Sequence, residues 1–195
     1  MNPTSERLTT IPNLLTLSRL PLAAVLFVCI SYEWWVAALV TFALASLTDW
    51  LDGWWARQFN LQSIFGRTFD PLVDKVLVGG AFIYLLQVPA TGLAPWMVTV
   101  VIGREILVTG IRGYIETLGK KFGADWFGKL KMLLQCVVLF AIFGNLSVRG
   151  LPVSADWQKV LDAVQTVLIY AMIAATVGSG IQYCVKAAKL MNEAE

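Results

Sequence analysis

The sequence contains no histidine. Imidazole is therefore removed both as a general base and as a metal ligand, which excludes the H-E-x-x-H intramembrane metalloproteases. Charge is scarce too: Asp, Glu, Lys and Arg make up 14% of the chain, against about 25% in an ordinary soluble domain. Cysteine is limited to Cys29, Cys136 and Cys184, each inside an apolar run, where buried, inert thiols are expected. There is no internal repeat and no low-complexity tract. Nor is there the pattern of a cleavable signal, because the polar stretch Met1 to Thr10 leads directly into the first apolar run.

Apolar residues fill the space these absences leave. The chain is 57% hydrophobic, with a mean hydropathy of +0.68, which marks an integral membrane protein rather than a soluble one. Its 195 residues leave no room for a second sizeable domain, so residues 1–195 are expected to form one membrane domain. Six apolar runs approach the ~20 residues that a bilayer-spanning helix needs. They are Leu14–Ile30, Trp34–Trp54, Phe69–Val88, Leu93–Leu118, Phe127–Leu146 and Val160–Val185. The expectation is an all-α integral membrane protein with six transmembrane helices. Lysine and arginine set its orientation. Arg7, Arg57, Arg67, Arg112, Lys120, Lys121, Lys129, Lys131, Lys186 and Lys189 fall at one set of ends, and only Arg149 and Lys159 at the other. Both termini are therefore expected in the cytoplasm.

One stretch departs from the apolar pattern. Residues Asp49 to Asp74 read D-W-L-D-G-W-W-A-R, then eight residues, then G-R-T-F-D-P-L-V-D. Asp49 and Asp52 are three apart and Asp70 and Asp74 four apart, so on helices each pair shares a face. Gly53 and Ala56 follow the first pair by one turn and leave that face bare for a bulky ligand to approach the backbone. Four like charges this close need cations between them. Hard oxygen ligands suit Mg²⁺, Mn²⁺ or Ca²⁺, and two such ions about 4 Å apart would clamp a phosphoryl group in transfer. From Trp34, at the outer end of its run, to Asp49 is 15 residues, or about 22 Å of helix. In a hydrocarbon core about 30 Å thick, Asp49 then lies just inside the cytoplasmic boundary, at the depth of a lipid phosphate. Trp50, Trp54 and Trp55 suit an interfacial belt there.

Other polar groups sit near this depth. Asn13, Thr16 and Arg19 recur along one face of the first run, as a helix cap with a snorkelling arginine or as ligand-binding groups. Pro71 suits the first turn of a helix, which would put Asp70 near a helix start with free amides turned toward phosphates. Lys75 points about 100° away from Asp74, toward a neighbouring acid or a substrate. Arg104 and Arg112 can line one side of a cavity, with Glu105 neutralising one of them. Lys129 and Lys131 are two apart, about 200° on a helix, so one faces a ligand and the other snorkels. Cations beside an acidic metal site suggest a phosphorylated acceptor as well as a phosphorylated donor.

The spacing resembles the signature of the CDP-alcohol phosphotransferase family, D-x2-D-G-x2-A-R-x8-G-x3-D-x3-D, at every fixed position: Asp49, Asp52, Gly53, Ala56, Arg57, Gly66, Asp70 and Asp74. Similarity extends to N-L-L-T-L-S-R at the start, G-R-E-I-L-V-T-G-I-R and G-K-L-K. These later blocks are closest to the branch whose acceptor is glycerol 3-phosphate. The resemblance implies a six-helix, homodimeric enzyme dependent on a divalent metal, Mg²⁺ or Mn²⁺, with two ions expected. It would transfer a phosphatidyl group from CDP-diacylglycerol to the primary hydroxyl of glycerol 3-phosphate and release CMP. By resemblance, Asp49, Asp52 and Asp70 hold the metals, with Asp74 beside them in the general-base position. Gly53, Ala56, Arg57 and Gly66 would accommodate CDP-diacylglycerol; Arg19, Arg104, Arg112 and Lys129 or Lys131 would hold glycerol 3-phosphate. A bacterial inner membrane, with the active site facing the cytoplasm, membrane lipids as surroundings and no nucleic-acid partner, completes the expectation.

Three rivals are weighed against it. A sibling enzyme making cardiolipin, phosphatidylinositol phosphate or phosphatidylserine differs only in acceptor. An intramembrane prenyltransferase also uses aspartate-bound Mg²⁺, but its two acidic motifs lie far apart in a larger bundle. A divalent-cation transporter should carry acids across the whole membrane depth, whereas in the outer half of these spans only Asp162 is acidic.

Overall fold

Each apolar run becomes one helix. The computed structural model describes residues 11–58, 64–117 and 126–192, side chains excepted at 11–16, 52–57, 64–68, 70, 116, 126–127, 129 and 192. Its helices are α1 (Ile11–Ser31), α2 (Trp35–Gln58), α3 (Ile64–Leu85), α4 (Pro95–Thr117), α5 (Trp126–Val148) and α6 (Ala155–Asn192). A single 3-10 turn, Pro89–Thr91, joins α3 to α4; no strand occurs among the described residues. That turn ends at Gly92, whose φ of 68° is the left-handed conformation glycine adopts without steric cost. Pro95 then opens α4, where its missing N–H has no helical partner to lose.

Two of the expected boundaries need correction. Asp70 is not near a helix start: α3 begins at Ile64, and Pro71 lies inside it. The proline removes one backbone bond without ending the helix, because the turn before it is already helical and continues through it. The amides around Asp70 are therefore helical, not free for an anion. The last helix also exceeds the expected Val160–Val185: its 38 residues reach about 57 Å, nearly twice a hydrocarbon core. Cys184, expected buried, is exposed on this helix, whereas Cys29 is buried and Cys136 intermediate.

The helices pack as two groups sharing one core. α1 lies against α2 and α3, α6 against α4 and α5, and α5 closes the bundle against α2. Leu26 of α1, Phe42 of α2, Phe82 of α3, Val101 of α4, Ile142 of α5 and Met172 of α6 meet in that core. α1 and α3 approach closely at Gly80, where an added Cβ would overlap the Phe27 ring. Phe27 in turn stacks on Tyr84, with ring centroids 4.8 Å apart and planes 8° from parallel.

The polarity of the bundle is inverted relative to a soluble protein. Val36, Val40, Ile106, Val167 and Ile181 are exposed, while Arg19, Lys131, Gln135, Asn145, Gln165 and Ser179 are buried. Such a surface is stable against lipid and costly against water. Among the described residues, Leu130–Val148 and Ala155–Met191 are long and apolar enough to cross a membrane, and Leu17–Ser31 and Trp35–Leu51 are shorter apolar helices.

The far end of α5 is held by polar contacts. Asn145 Nδ2 donates to Asp162 Oδ1 (2.8 Å) and Gln165 Oε1 (2.9 Å), while Gln165 Nε2 donates to the Thr91 carbonyl (2.8 Å). Arg149 pairs with Asp162 at 2.6 Å. α5, α6 and the 3-10 turn are thus joined at the end of the bundle away from Asp49, and Asp162 is absorbed by that junction.

Candidate active site

Arg19 is the centre of the acidic group. It is fully buried on α1, and its Nη1 donates to Asp49 Oδ1 of α2 at 2.5 Å and to Asp74 Oδ1 of α3. The two carboxyl side chains keep 35% and 25% of their exposure, so they form the mouth of the group and Arg19 its floor. Arg19 was expected beside the other cations; its guanidinium instead joins the acids. The expected face shared with Asn13 and Thr16 lies outside the described side chains, as do those of Asp52, Gly53, Ala56, Arg57, Gly66 and Asp70.

Asp74 and Lys75 divide the site. As the ~100° offset between successive helical residues requires, Asp74 turns to Arg19 while Lys75 turns to α4. There Lys75 Nζ donates to Thr109 Oγ1 at 2.5 Å, not to a neighbouring acid.

A basic group follows on α4, α5 and α6. Arg104 Nε donates to Ser179 Oγ (3.1 Å), its Nη1 to Glu105 Oε1 (3.2 Å), and its Cζ lies 5.2 Å from the Tyr183 ring centroid. Gly180 leaves room for this side chain, since a Cβ there would touch Arg104 Cγ at 3.4 Å. Arg112, two turns along α4, also reaches Tyr183: its Nη2 donates to the phenol oxygen at 3.4 Å. From α5, Lys131 Nζ donates to the same Glu105 Oε1 as Arg104 does. Lys131 therefore faces inward, and the Lys129 side chain lies outside the described residues.

Glu105 thus supplies one negative charge between two buried cations, leaving the group net positive. Buried Arg104 Nη2 and Arg112 Nε have no hydrogen-bond partner among the described residues. An unpaired buried donor costs about 1–3 kcal/mol, so an incoming anion has both charge and unused N–H groups to meet.

Ser179, Tyr183, Thr109 and Gln135 were not anticipated from sequence. Ser179 and Tyr183 meet arginines 75 and 71 residues away, and neither stands out within its apolar run. Gln135 did carry a signal, as an amide one turn after Lys131 at the start of an apolar run.

The acidic group offers the oxygen donors that a divalent cation takes. Two carboxylate oxygens, on different helices, converge on a single guanidinium nitrogen. They are close enough to share one cation, and hard oxygen donors are what Mg²⁺ and Mn²⁺ take. Among the described residues no set of three such ligands is assembled. An apolar groove of about 410 Å³ between α4 and α6, lined by Ile111, Tyr114, Cys184 and Met191 among others, has no charged group in its lining. The chemistry therefore belongs with the interior charges and not with that groove.

Similar proteins carry related names. The chain is 36% identical over 148 residues to the CDP-diacylglycerol–glycerol-3-phosphate 3-phosphatidyltransferase of Bacillus subtilis (strain 168), covering 68% of this chain and 75% of that protein. It is 36% identical over 139 residues to the protein of the same name in Escherichia coli (strain K12), covering 66% and 74%. With an Arabidopsis thaliana protein named as the second such enzyme, it shares 34% identity over 156 residues, covering 72% and 67%. The family model for CDP-alcohol phosphatidyltransferases matches residues 9–179, from before α1 into α6 and across both charged groups, and the chain belongs to that family.

Proposed function

We propose that this chain is an integral membrane phosphatidyltransferase that moves the phosphatidyl group of CDP-diacylglycerol onto glycerol 3-phosphate, giving phosphatidylglycerophosphate and CMP. The observation that carries this reading is a net-positive group of buried Lys131 with half-buried Arg104 and Arg112, in the same bundle as the paired acids of α2 and α3. An acceptor without a phosphate would have no use for those cations. The relatives' names favour the same acceptor.

In the reaction, the primary hydroxyl oxygen of the acceptor bonds to the phosphatidyl phosphorus. The pyrophosphate P–O bond breaks, and CMP leaves with that oxygen. Asp74 takes the hydroxyl proton; in a chain without histidine, a carboxylate is the side chain suited to that transfer. Arg19 holds Asp74 and Asp49 in place. Asp49, Asp52 and Asp70, with Asp74 beside them, would hold two Mg²⁺ or Mn²⁺ ions, whose chemistry is to neutralise charge on the pyrophosphate and on departing CMP. Gly53, Ala56, Arg57 and Gly66 make room for the cytidine nucleotide. Arg104, Arg112 and Lys131 bind the acceptor phosphate.

The reading places all six helices across the membrane as one domain, both termini and the active site on the cytoplasmic side of a bacterial inner membrane, in a homodimer surrounded by lipid. The lysine and arginine bias and the apolar exterior support it. The test offers the purified protein CDP-diacylglycerol with glycerol 3-phosphate, serine, inositol phosphate or phosphatidylglycerol and measures CMP release. Release with glycerol 3-phosphate alone is expected. Release that follows another acceptor, or none, overturns the reading.

A further inference from the structure

Gln135 has no assigned task in this scheme, yet it is placed as though it had one. It is 4% exposed, and its Nε2 is buried without a hydrogen-bond partner among the described residues. A buried amide nitrogen left in that state is unfavourable, and its persistence at a site of charged groups points to an incoming acceptor atom.

Its position narrows what that atom is. Gln135 stands four residues after Lys131 on α5, hence on the same face and one turn deeper. Lys131 reaches Glu105 at the centre of the basic group. α5 itself packs against α2 and α3, the helices that carry Asp49 and Asp74. The amide is therefore carried by the helix that packs on the acid-bearing α2 and α3 and whose Lys131 reaches the basic group. This step rests on the proposed reaction, in which the acceptor phosphate binds the cations and its primary hydroxyl faces Asp74. The span between those ends is three carbons, and its middle carbon carries the one remaining polar group, a secondary hydroxyl.

We infer that Gln135 is a specificity-determining residue whose side-chain amide hydrogen-bonds the secondary hydroxyl of the phosphorylated acceptor and so directs the primary hydroxyl toward Asp74. The amide reads a polyol phosphate against a simple alcohol phosphate. A site built to bond a substrate hydroxyl discriminates against an analogue that lacks it, because the protein donor is then left unpaired.

The experiment compares glycerol 3-phosphate with 3-hydroxypropyl phosphate, which lacks only the secondary hydroxyl, in the wild-type protein and in Gln135→Met. Methionine keeps the volume and removes the amide. The wild type should prefer glycerol 3-phosphate by about ten- to hundredfold in kcat/KM. In Gln135→Met that preference should fall to within about threefold of unity, through loss of efficiency on glycerol 3-phosphate, with the KM for CDP-diacylglycerol unchanged. Both acceptors are measured in one preparation, so the folded fraction cancels from the ratio. An equal fall on both acceptors would make Gln135 a packing residue and overturn the inference. A raised KM for CDP-diacylglycerol with the preference intact would assign the amide to the donor lipid and overturn it as well. Wild-type protein inactive on glycerol 3-phosphate would instead fail the reaction itself, a result visible before any variant is made.

Discussion

Replacing Arg19 with methionine tests the acidic group most directly. The substitution keeps an unbranched apolar stem and removes the cation that Asp49 and Asp74 share. Arg19 is fully buried, and breaking a buried ion pair by removing one partner costs about 3–5 kcal/mol. The carboxylates retain 35% and 25% exposure, so water relieves part of that cost and the lower end, about 3 kcal/mol, applies. For a chain of this size, that corresponds to a fall in Tm of roughly 6–12 °C. Eight tryptophans give an intrinsic signal for thermal unfolding in detergent, measured once in chelator and once in millimolar Mg²⁺. If a divalent ion binds the same oxygens, it supplies the missing counter-charge, and the deficit should shrink by about half or more in Mg²⁺. Arg19→Lys, which keeps the charge but loses the planar fork, should fall between the two. Unfolding of Arg19→Met at the wild-type temperature in chelator would refute the idea that these acids depend on Arg19. A deficit equal in both buffers would refute the shared cation site.

Four further outcomes are expected. CMP release should vanish in excess chelator and return with Mg²⁺ or Mn²⁺; full turnover in chelator would remove the metal from the scheme. Asp74→Asn should abolish turnover while CDP-diacylglycerol binding, measured by titration, persists, whereas Asp49→Asn should weaken metal and nucleotide together. Arg104→Ala removes the cation bonded to Ser179 and Glu105 and should cost about 1.5–3 kcal/mol, or ten- to hundredfold, in efficiency toward glycerol 3-phosphate with little change for the donor; equal effects on both substrates would make it a structural arginine. Gly80→Ala should destabilise the α1–α3 contact by about 1–3 kcal/mol through overlap with Phe27, and adding Phe27→Leu should recover most of the loss in the same unfolding assay.

Local spacing carried much of this protein. Runs of about 20 apolar residues announce helices because a helix buries its own backbone polar groups in any apolar solvent. The acidic motif was legible because residues three and four apart share a helical face whatever the helix packs against. The same rule stated that only one of Lys129 and Lys131 could face inward, and that Asp74 and Lys75 had to diverge. It could not say which lysine turned in, since that depends on where α4 and α6 stand around α5. Local rules also misplaced the start of α3: Pro71 is compatible with a first turn, but the preceding residues extend the helix back to Ile64.

Tertiary structure decided the partnerships. Arg19 lies 30 residues from Asp49 and 55 from Asp74, so nothing in the chain's periodicity joins them. They meet because α1 packs against both α2 and α3. Arg104 and Arg112 converge on Tyr183 because α4 packs along α6, and Glu105 reaches Lys131 across 26 residues because α4 and α5 both pack against α6. Gln135 has the same character: its type and spacing are in the sequence, but its burial without a partner is a property of the packed bundle. The sequence determined which chemical groups each helix face offers, because that follows from a fixed rotation per residue. Which faces meet was decided only when the apolar surfaces of six helices were buried together.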